Sequence, residues 1–330
     1  MAHLCYFTIA TFLIVLDLIK VSSLSCAEVK KAGSGSKFSE NQLETLSDED
    51  FISCLVYLGR EPLGENEGKY MWMRLIELYD NDMWNIPEED LRQIGWIMKV
   101  ITPKEIQNLT LADIETISAF GQYHNLSRAQ ALAEKVREDW NAKDPTDYSF
   151  YDLMALNHIL CGFNDTDLSV IHPDAYKEAA TVLSNLRDCP RQSLEALASL
   201  AVSPAAFDEP STWHSSQVNS VGCVLNGMSR DDITTIPAEG FESLVPDVIE
   251  CLTKDTLRSM TTYQLKHLTP SAATAITHEQ KSLLDFSQQR SISDAQAGEI
   301  ATKKNQSNGV HSNSMPTCPI LWILLCLIVQ

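Results

Sequence analysis

The clearest pattern of polar and apolar positions along the chain is a unit of eight residues, called an octad below. Residues 253–284 read TKDTLRSM, TTYQLKHL, TPSAATAI and THEQKSLL, so each octad opens with Thr and closes with an apolar residue. Related octads begin at Ser39 and Ser47 (SENQLETL, SDEDFISC) and at Thr102 and Thr110 (TPKEIQNL, TLADIETI). This recurrence indicates one kind of local structure repeated in tandem.

The first residue of an octad has the chemistry of a helix N-cap. A Ser or Thr side chain there accepts a hydrogen bond from a free backbone N–H, and an acidic or amide side chain three positions later accepts one from the cap's own N–H. Apolar residues at the fifth and eighth positions lie three apart and share one helix face. Each octad therefore predicts a two-turn helix with one buried side. The pairs with this capping pattern are Ser39/Gln42, Ser47/Asp50, Thr102/Glu105, Thr110/Asp113, Thr261/Gln264 and Thr277/Gln280.

Longer apolar periodicities between the octads predict longer helices, over residues 69–79, 90–100, 128–140, 151–160 and 175–186. Since no stretch sustains the alternation typical of strands, we expect an all-α fold. A two-turn helix is unstable alone and must be stabilised by packing against neighbours. Short capped helices in tandem therefore predict a solenoid. The alternative is an irregular helical globule in which such caps are merely common.

The amino end carries an apolar run of the length and setting of a secretory signal. Residues 4–19 are apolar apart from Asp17 and are followed by several small serines. This layout predicts a signal peptide over residues 1–25, cleaved after Ser25 or Ser23. The alternative is a buried helix of the mature protein.

The carboxyl end has the order of a GPI-attachment signal. Small residues at 307–309 precede a polar spacer and a short apolar tail at 318–329, which is followed only by Gln330. A tail of this length is too short to span a bilayer comfortably. Ser307 is the first choice for the attachment site and Asn308 is the second. A single-pass anchor or a buried strand is the alternative.

The cysteines agree with an exported chain. Three of the nine lie in the two terminal signals, which leaves an even set in the mature part: Cys26, Cys54, Cys161, Cys189, Cys223 and Cys251. The pairs Cys161/Cys189 and Cys223/Cys251 have equal spacing and enclose related text at an offset of 65 residues. We therefore expect two local disulfides in two copies of one unit, and Cys26–Cys54 follows by elimination.

Four N-glycosylation sequons lie at Asn108, Asn125, Asn164 and Asn305. Asn125 and Asn164 stand in loop-like sequence and are the preferred sites. Asn108 falls at the end of a predicted helix, and Asn305 lies almost at the expected anchor site. The sequons agree with export without proving it.

Charge and motifs exclude several classes of function. The net charge of −19 argues against a nucleic-acid partner and against electrostatic docking on anionic lipid. The sequence contains no HExxH, GxSxG, Walker or GxGxxG motif, and no pair of histidines has the spacing of helical metal ligands. We therefore expect a protein that is not an enzyme and that needs no cofactor or metal.

Four segments resemble the mesothelin, stereocilin and otoancorin family. They are DFISCLVYLG, DLMALNHILCGF, GCVLNGMSRDDITTIPAEGF and LRSMTTYQLKHLTPSAATAIT, and the resemblance covers roughly residues 39–290. It implies a superhelical, armadillo-like arrangement of the repeats. It also implies a cell-surface glycoprotein with a role in adhesion. Several members of the family are GPI-anchored. The chain is far shorter than stereocilin or otoancorin and has no clear Arg-x-x-Arg processing site.

The sequence thus predicts a signal peptide (1–25), a linker (26–38), a helical-repeat ectodomain (39–290), a polar stalk (291–307) and a removed propeptide (308–330). The expected function is cell–matrix or cell–cell adhesion by a GPI-anchored protein at the outer face of the plasma membrane. Its partner would be an extracellular-matrix or cell-surface protein or glycan, and its membrane contact would be the lipid anchor alone. The alternative function is a GPI-anchored receptor or co-receptor for a soluble ligand.

Overall fold

A computed structural model describes residues 23–123, 125–140 and 143–298. Within these ranges the chain forms helices and no strand, which confirms the all-α fold class. The α-helices are Cys26–Ala32, Glu40–Leu43, Asp48–Ser53, Leu55–Leu58, Glu65–Leu78, Glu88–Leu91, Pro103–Ile106, Ile114–Gly121, Leu126–Asp139, Phe150–Leu156, Asp165–Ser169, Pro173–Leu183, Arg191–Ala201, Ser215–Val221, Arg230–Thr235, Pro246–Cys251, Lys254–Ser259, Thr262–Lys266, Pro270–Ala275, His278–Lys281 and Phe286–Gln296. The 3₁₀-helices are Gly35–Lys37, Met83–Asn85, Gly95–Val100, Pro145–Asp147, Asn157–Gly162, Pro210–Thr212, Gly222–Gly227 and Ala238–Phe241.

The C-terminal octads fold as short helices with the predicted caps. Thr253, Thr261, Thr269 and Thr277 each immediately precede a helix of four to six residues. Each Thr hydroxyl accepts a hydrogen bond from the backbone N–H three residues later, at 3.1 to 3.2 Å. Ser39, Ser47 and Thr102 cap helices in the same positions of their octads.

The octad at Thr110 does not follow this pattern. Its helix begins later, at Ile114, and Asp113 is the N-cap. The cause lies outside the octad, because carboxylates from other helices hold the extended backbone ahead of it. Asp139 accepts from the N–H of Leu111 at 2.6 Å, and Glu88 accepts from the N–H of Asp113 at 2.8 Å.

Side chains from a later part of the chain bind the carbonyl groups at the ends of these short helices. Gln264 Nε2 donates to the carbonyls of Ile233 and Ile236, which lie 31 and 28 residues earlier, at 2.7 and 2.8 Å. A helix of this length leaves most of its carbonyls without an intrahelical partner, so the bonds complete the earlier helix. The same two offsets recur for Gln280 with Ile249 and Leu252, and for Arg74 with Leu43 and Leu46.

Helix packing follows the order of the chain. Pro246–Cys251 contacts Pro270–Ala275, and Lys254–Ser259 contacts His278–Lys281, so in this region each helix meets the one three octads later. Closer to the amino end, Glu65–Leu78 contacts Gly95–Val100 in a similar way. Packing between helices that are near in sequence agrees with a stack of repeats. The armadillo-like superhelix itself stays a prediction.

Three 3₁₀-helices, Gly95–Val100, Asn157–Gly162 and Gly222–Gly227, divide the chain at regular intervals. Each begins at a residue in the left-handed region, with φ of 50°, 43° and 53° respectively. The long helices predicted over 90–100 and 151–160 are therefore wrong. The first α-helix ends at Leu91 and a 3₁₀-helix begins at Gly95, whereas the second α-helix ends at Leu156, directly before Asn157. At Gly95 the reason is close approach, since a Cβ there would lie 2.3 Å from the carbonyl oxygen of Gly59.

The folded region extends beyond both predicted boundaries. Residues 26–38 are not a linker, because the helix Cys26–Ala32 packs on the core through Val29, which is fully buried. At the other end, the helix Phe286–Gln296 continues past residue 290 and buries Ile292 completely. One continuous hydrophobic core therefore runs from Leu24 to Ala295 through the described residues.

Candidate functional site

Three of the predicted glycosylation sites lie within the described residues, and the side chains of Asn108, Asn125 and Asn164 are all exposed. Asn125 is the N-cap of a helix, and its Oδ1 accepts from the N–H of Arg128 at 3.2 Å. This bond uses only the amide oxygen, whereas a glycan is joined to the amide nitrogen. Asn125 could therefore carry a glycan and keep its cap.

The other sequons use their amide nitrogen in local bonds. Asn164 Nδ2 donates to the carboxylate of Asp167 at 2.9 Å, although its Oδ1 also caps a helix. Asn108 Nδ2 donates to the carbonyl of Lys104 at 3.4 Å. A glycan at either position would have to share the nitrogen with that bond. Asn305 lies outside the described residues.

The predicted terminal signals lie largely outside the described part of the chain. This holds for residues 1–22, for the attachment candidates Ser307 and Asn308, and for the propeptide 308–330. Between residues 23 and 298, leaving aside 124, 141 and 142, no helix combines the length and apolar character needed to cross a bilayer.

Both disulfides expected from equal spacing are present. Cys161 is bonded to Cys189 and Cys223 to Cys251, with Cα–Cα distances of 4.8 and 5.6 Å. The related apolar residues between them are buried in both copies. These are Leu168, Ile171 and Tyr176 in the first loop and Ile233, Ile236 and Phe241 in the second.

Arg187 joins the two disulfide-closed loops to each other. It stands two residues before Cys189, donates to the carbonyl of Asp247 at 3.1 Å and forms an ion pair with Glu250 at 3.5 Å. Glu250 directly precedes Cys251 in the second loop. The two loops therefore lie side by side on one part of the surface.

The third predicted bridge, Cys26–Cys54, is not formed. Both residues are buried free thiols, although they have the same spacing of 28 residues as the bonded pairs. Burial, and then the neighbouring Cys26, raise the pKa of Cys54 to about 12, so the thiol stays protonated at neutral pH.

Three of the tryptophans, Trp84, Trp140 and Trp213, differ in their surroundings. Trp213 is fully buried, and its Nε1 donates to the carbonyl of Asp208 at 3.0 Å, so it belongs to the core. Trp140 is half-buried. Trp84 is 53% exposed, with the ammonium group of the buried Lys135 lying 4.3 Å from its ring centroid. Of these three, Trp84 alone presents a large apolar surface to solvent.

Exposed apolar side chains near the C-terminal end were not identified from the sequence. Phe286 is 82% exposed and Tyr263 is 60% exposed, and Leu283 lies close to Phe286 in the chain. Tyr263 occupies the third position of its octad, whereas the buried Leu265 and Leu268 occupy the fifth and eighth. The octad pattern therefore contained the signal that this position faces solvent.

The described residues show no cluster suited to metal binding. No three or more His, Cys, Asp or Glu side chains within residues 23–123, 125–140 and 143–298 are placed to hold a metal ion.

Comparison with known proteins finds similarity to stereocilin and otoancorin. No family model matches the chain. It is 26% identical to stereocilin of Homo sapiens over 278 residues, which is 82% of this chain and 15% of stereocilin. It is 24% identical to otoancorin of Mus musculus over 243 residues, which is 72% of this chain and 21% of otoancorin. The chain thus spans about a fifth or less of the length of these curated relatives.

Proposed function

We propose an adhesive role at the cell surface for this chain, which belongs to the stereocilin and otoancorin family. In this proposal the helical repeat is a non-catalytic binding platform, held at the outer face of the plasma membrane by a GPI anchor. The observation that carries the proposal is the similarity to stereocilin over 82% of the chain, since it spans most of the folded region.

The anchor part of the proposal is supported by the sequence of the carboxyl end. The small residues at 307–309, the spacer and the apolar tail have the order of an attachment signal. Phosphatidylinositol-specific phospholipase C should release the protein from intact cells. Recovery of residues 318–329 in the mature protein by mass spectrometry would refute the anchor.

The adhesive part of the proposal is tested with cells that attach poorly to matrix. Such cells, expressing the full chain, should attach to an extracellular-matrix layer in greater number than cells with an empty vector. Phospholipase treatment before seeding should remove the difference. A variant with bulky residues in place of Ser307, Asn308 and Gly309 is the control, because it should fold and yet not be displayed. Equal attachment of displaying and control cells would refute the adhesive role.

A soluble-ligand receptor is distinguished in the same cells by proximity labelling of neighbouring proteins. Matrix components among the labelled proteins support adhesion. A single secreted protein in their place would support the receptor function and refute adhesion.

A further inference from the structure

A polar groove lies near the C-terminal end of the described residues. It is lined by the helices Arg230–Thr235, Lys254–Ser259 and Thr262–Lys266 and by the segment that leads into Phe286–Gln296. Its volume is about 560 Å³. Arg230 and Arg258 contribute from two helices, Leu283 and Asp285 come from the turn before the last helix, and hydroxyl groups line the space between them. These hydroxyl-bearing residues are Thr234, Ser259, Thr261, Thr262 and Ser282.

The two arginines of the groove have side chains without a polar partner. The guanidinium groups of Arg230 and Arg258 make no hydrogen bond or ion pair with another described residue. Most other arginines among the described residues are held by a carboxylate or a carbonyl. Examples are Arg74 with Leu46, Arg128 with Ile101, Arg137 with Asp167, Arg187 with Glu250, and Arg191 with Glu195.

The one carboxylate in the groove lining, that of Asp285, accepts hydrogen bonds from the helix that it caps. Asp285 caps Phe286–Gln296, and its Oδ1 accepts from the backbone N–H of Gln288 at 2.8 Å. The hydroxyl of Ser287 donates to the same oxygen. Both bonds use Oδ1, and among the described residues no ion pair joins Asp285 to either arginine.

The charge of this groove is opposite to that of the chain. The lining has two arginines against one aspartate, whereas the whole protein has a net charge of −19. Three other grooves have more carboxylates than basic groups in their lining, for example Glu44, Asp48 and Glu77 against Arg74. A positive groove on an acidic protein concentrates anions locally while the rest of the surface repels them.

We propose that this groove binds an anionic glycan, with Arg230 and Arg258 holding its sulfate or carboxylate groups. The planar guanidinium group donates two parallel hydrogen bonds to such an oxyanion. The Thr262 hydroxyl can donate to and accept from a sugar hydroxyl. Beside their existing bonds, the Thr261 hydroxyl can still donate and the Thr234 hydroxyl can still accept. The proposal deepens the adhesive function and rests on it for the extracellular setting of the ligand.

The test uses the full-length chain purified from detergent-solubilised cells, so that its outcome does not depend on surface display. Binding of a sulfated glycosaminoglycan oligosaccharide is compared with binding of the same oligosaccharide after desulfation, which keeps its carboxylates, and with a neutral glucan of equal length. Surface plasmon resonance at low and high salt gives the affinities. Each of Arg230→Ala and Arg258→Ala should weaken binding about three- to fivefold, and the double variant about tenfold or more.

Arg290→Ala is the matched control, because Arg290 is exposed and lies outside the groove lining. It should change the affinity less than about twofold. Loss of binding on desulfation identifies sulfate as the bound group, and retained, arginine-dependent binding identifies carboxylate. The proposal is overturned if the wild type binds none of the anionic chains, if the neutral glucan binds equally well, or if Arg290→Ala weakens binding as much as the double variant. Failure here with intact cell attachment would leave the adhesive function standing.

Discussion

Gln264 provides the sharpest test of how the short helices are stabilised. It is 2% exposed and has two functions: its Oε1 accepts from the N–H of Thr261 at 2.8 Å, and its Nε2 donates to the carbonyls of Ile233 and Ile236. Gln264→Glu has the same shape and keeps the acceptor for Thr261. It removes the donor, however, and places a carboxylate oxygen against two carbonyl oxygens. The substitution therefore isolates the bond between helices from the cap.

The expected cost follows from the two carbonyls that lose their donor. Each lost hydrogen bond contributes about 1 kcal/mol net, and a buried carbonyl left without a partner costs about 1–3 kcal/mol. Ile233 keeps a bond from the N–H of Ile236 at 3.3 Å, so the Ile236 carbonyl suffers most. Together these give about 2–4 kcal/mol of lost stability, and burial of the new carboxylate adds to this at neutral pH. The loss is measured by urea unfolding of the purified protein followed by circular dichroism.

The penalty should also depend on pH. Burial raises the pKa of the new carboxyl in the folded state above its unfolded value of about 4.3. Protonation lets it donate again, so the stabilising contribution is present below the unfolded pKa and is lost as the pH rises through the folded pKa. The variant should therefore be less destabilised near pH 4 than near pH 7.5, each relative to the wild type.

Gln289→Glu is the matched control. Gln289 Nε2 also donates to a carbonyl, that of Leu284 at 3.0 Å, but its side chain is exposed, so water can replace it. Its cost should stay below about 0.5 kcal/mol. Equal costs for the two variants, or a penalty at Gln264 that is the same at both pH values, would refute the role given to this donor.

Three further predictions follow from the caps, the thiols and the amino end. Thr261→Ala should lower the free energy of unfolding by about 0.5–2 kcal/mol and Thr262→Ala by much less, because only the first hydroxyl caps its helix; similar urea midpoints for the two would contradict this. Iodoacetamide at neutral pH should leave Cys54 unlabelled in the native protein and label it after denaturation, and peptide mapping checks both states. Signal cleavage should occur after Ser23, because Leu24 is buried and its N–H donates to a side chain of the folded domain; amino-terminal sequencing that begins at residue 26 would show otherwise.

The caps of the short helices could be predicted from the sequence alone. An N-cap and its partner lie three residues apart, so the caps at Thr253, Thr261 and Thr277 depend on little beyond their own octads. The hydrogen bonds from side chains of one helix to the carbonyls of an earlier helix could not be predicted in this way. Gln264 offers the same side chain whether its Nε2 meets water or a carbonyl 28 residues earlier, and only the packed arrangement decides which.

The wrong predictions at the Thr110 octad and at residues 26–38 also arise because contacts with distant residues decide the local structure. Thr110 has the local pattern of a cap, but Glu88 and Asp139 hold the backbone after it in another conformation. Residues 26–38 include the flexible polar sequence GSGSK at 33–37, which is typical of a linker. Their helix nevertheless has a complete capping box between Ser25 and Glu28, and Ser25 lies at the predicted cleavage site of the signal peptide.

The disulfide-closed loops determine how far the chain lengthens when it is pulled from its two ends. Each bridge joins residues 28 positions apart, and an unfolded segment of that size would otherwise extend by about 3.3–3.6 Å per residue, close to 100 Å. Under tension the helices Asp165–Ser169 and Pro246–Cys251 could unfold, but each lies within a bridged loop, and the load passes through the sulfur atoms. Each bridged loop would therefore behave as an inextensible link, and the chain would lengthen through the helices outside the two loops, including those of residues 190–222 between them.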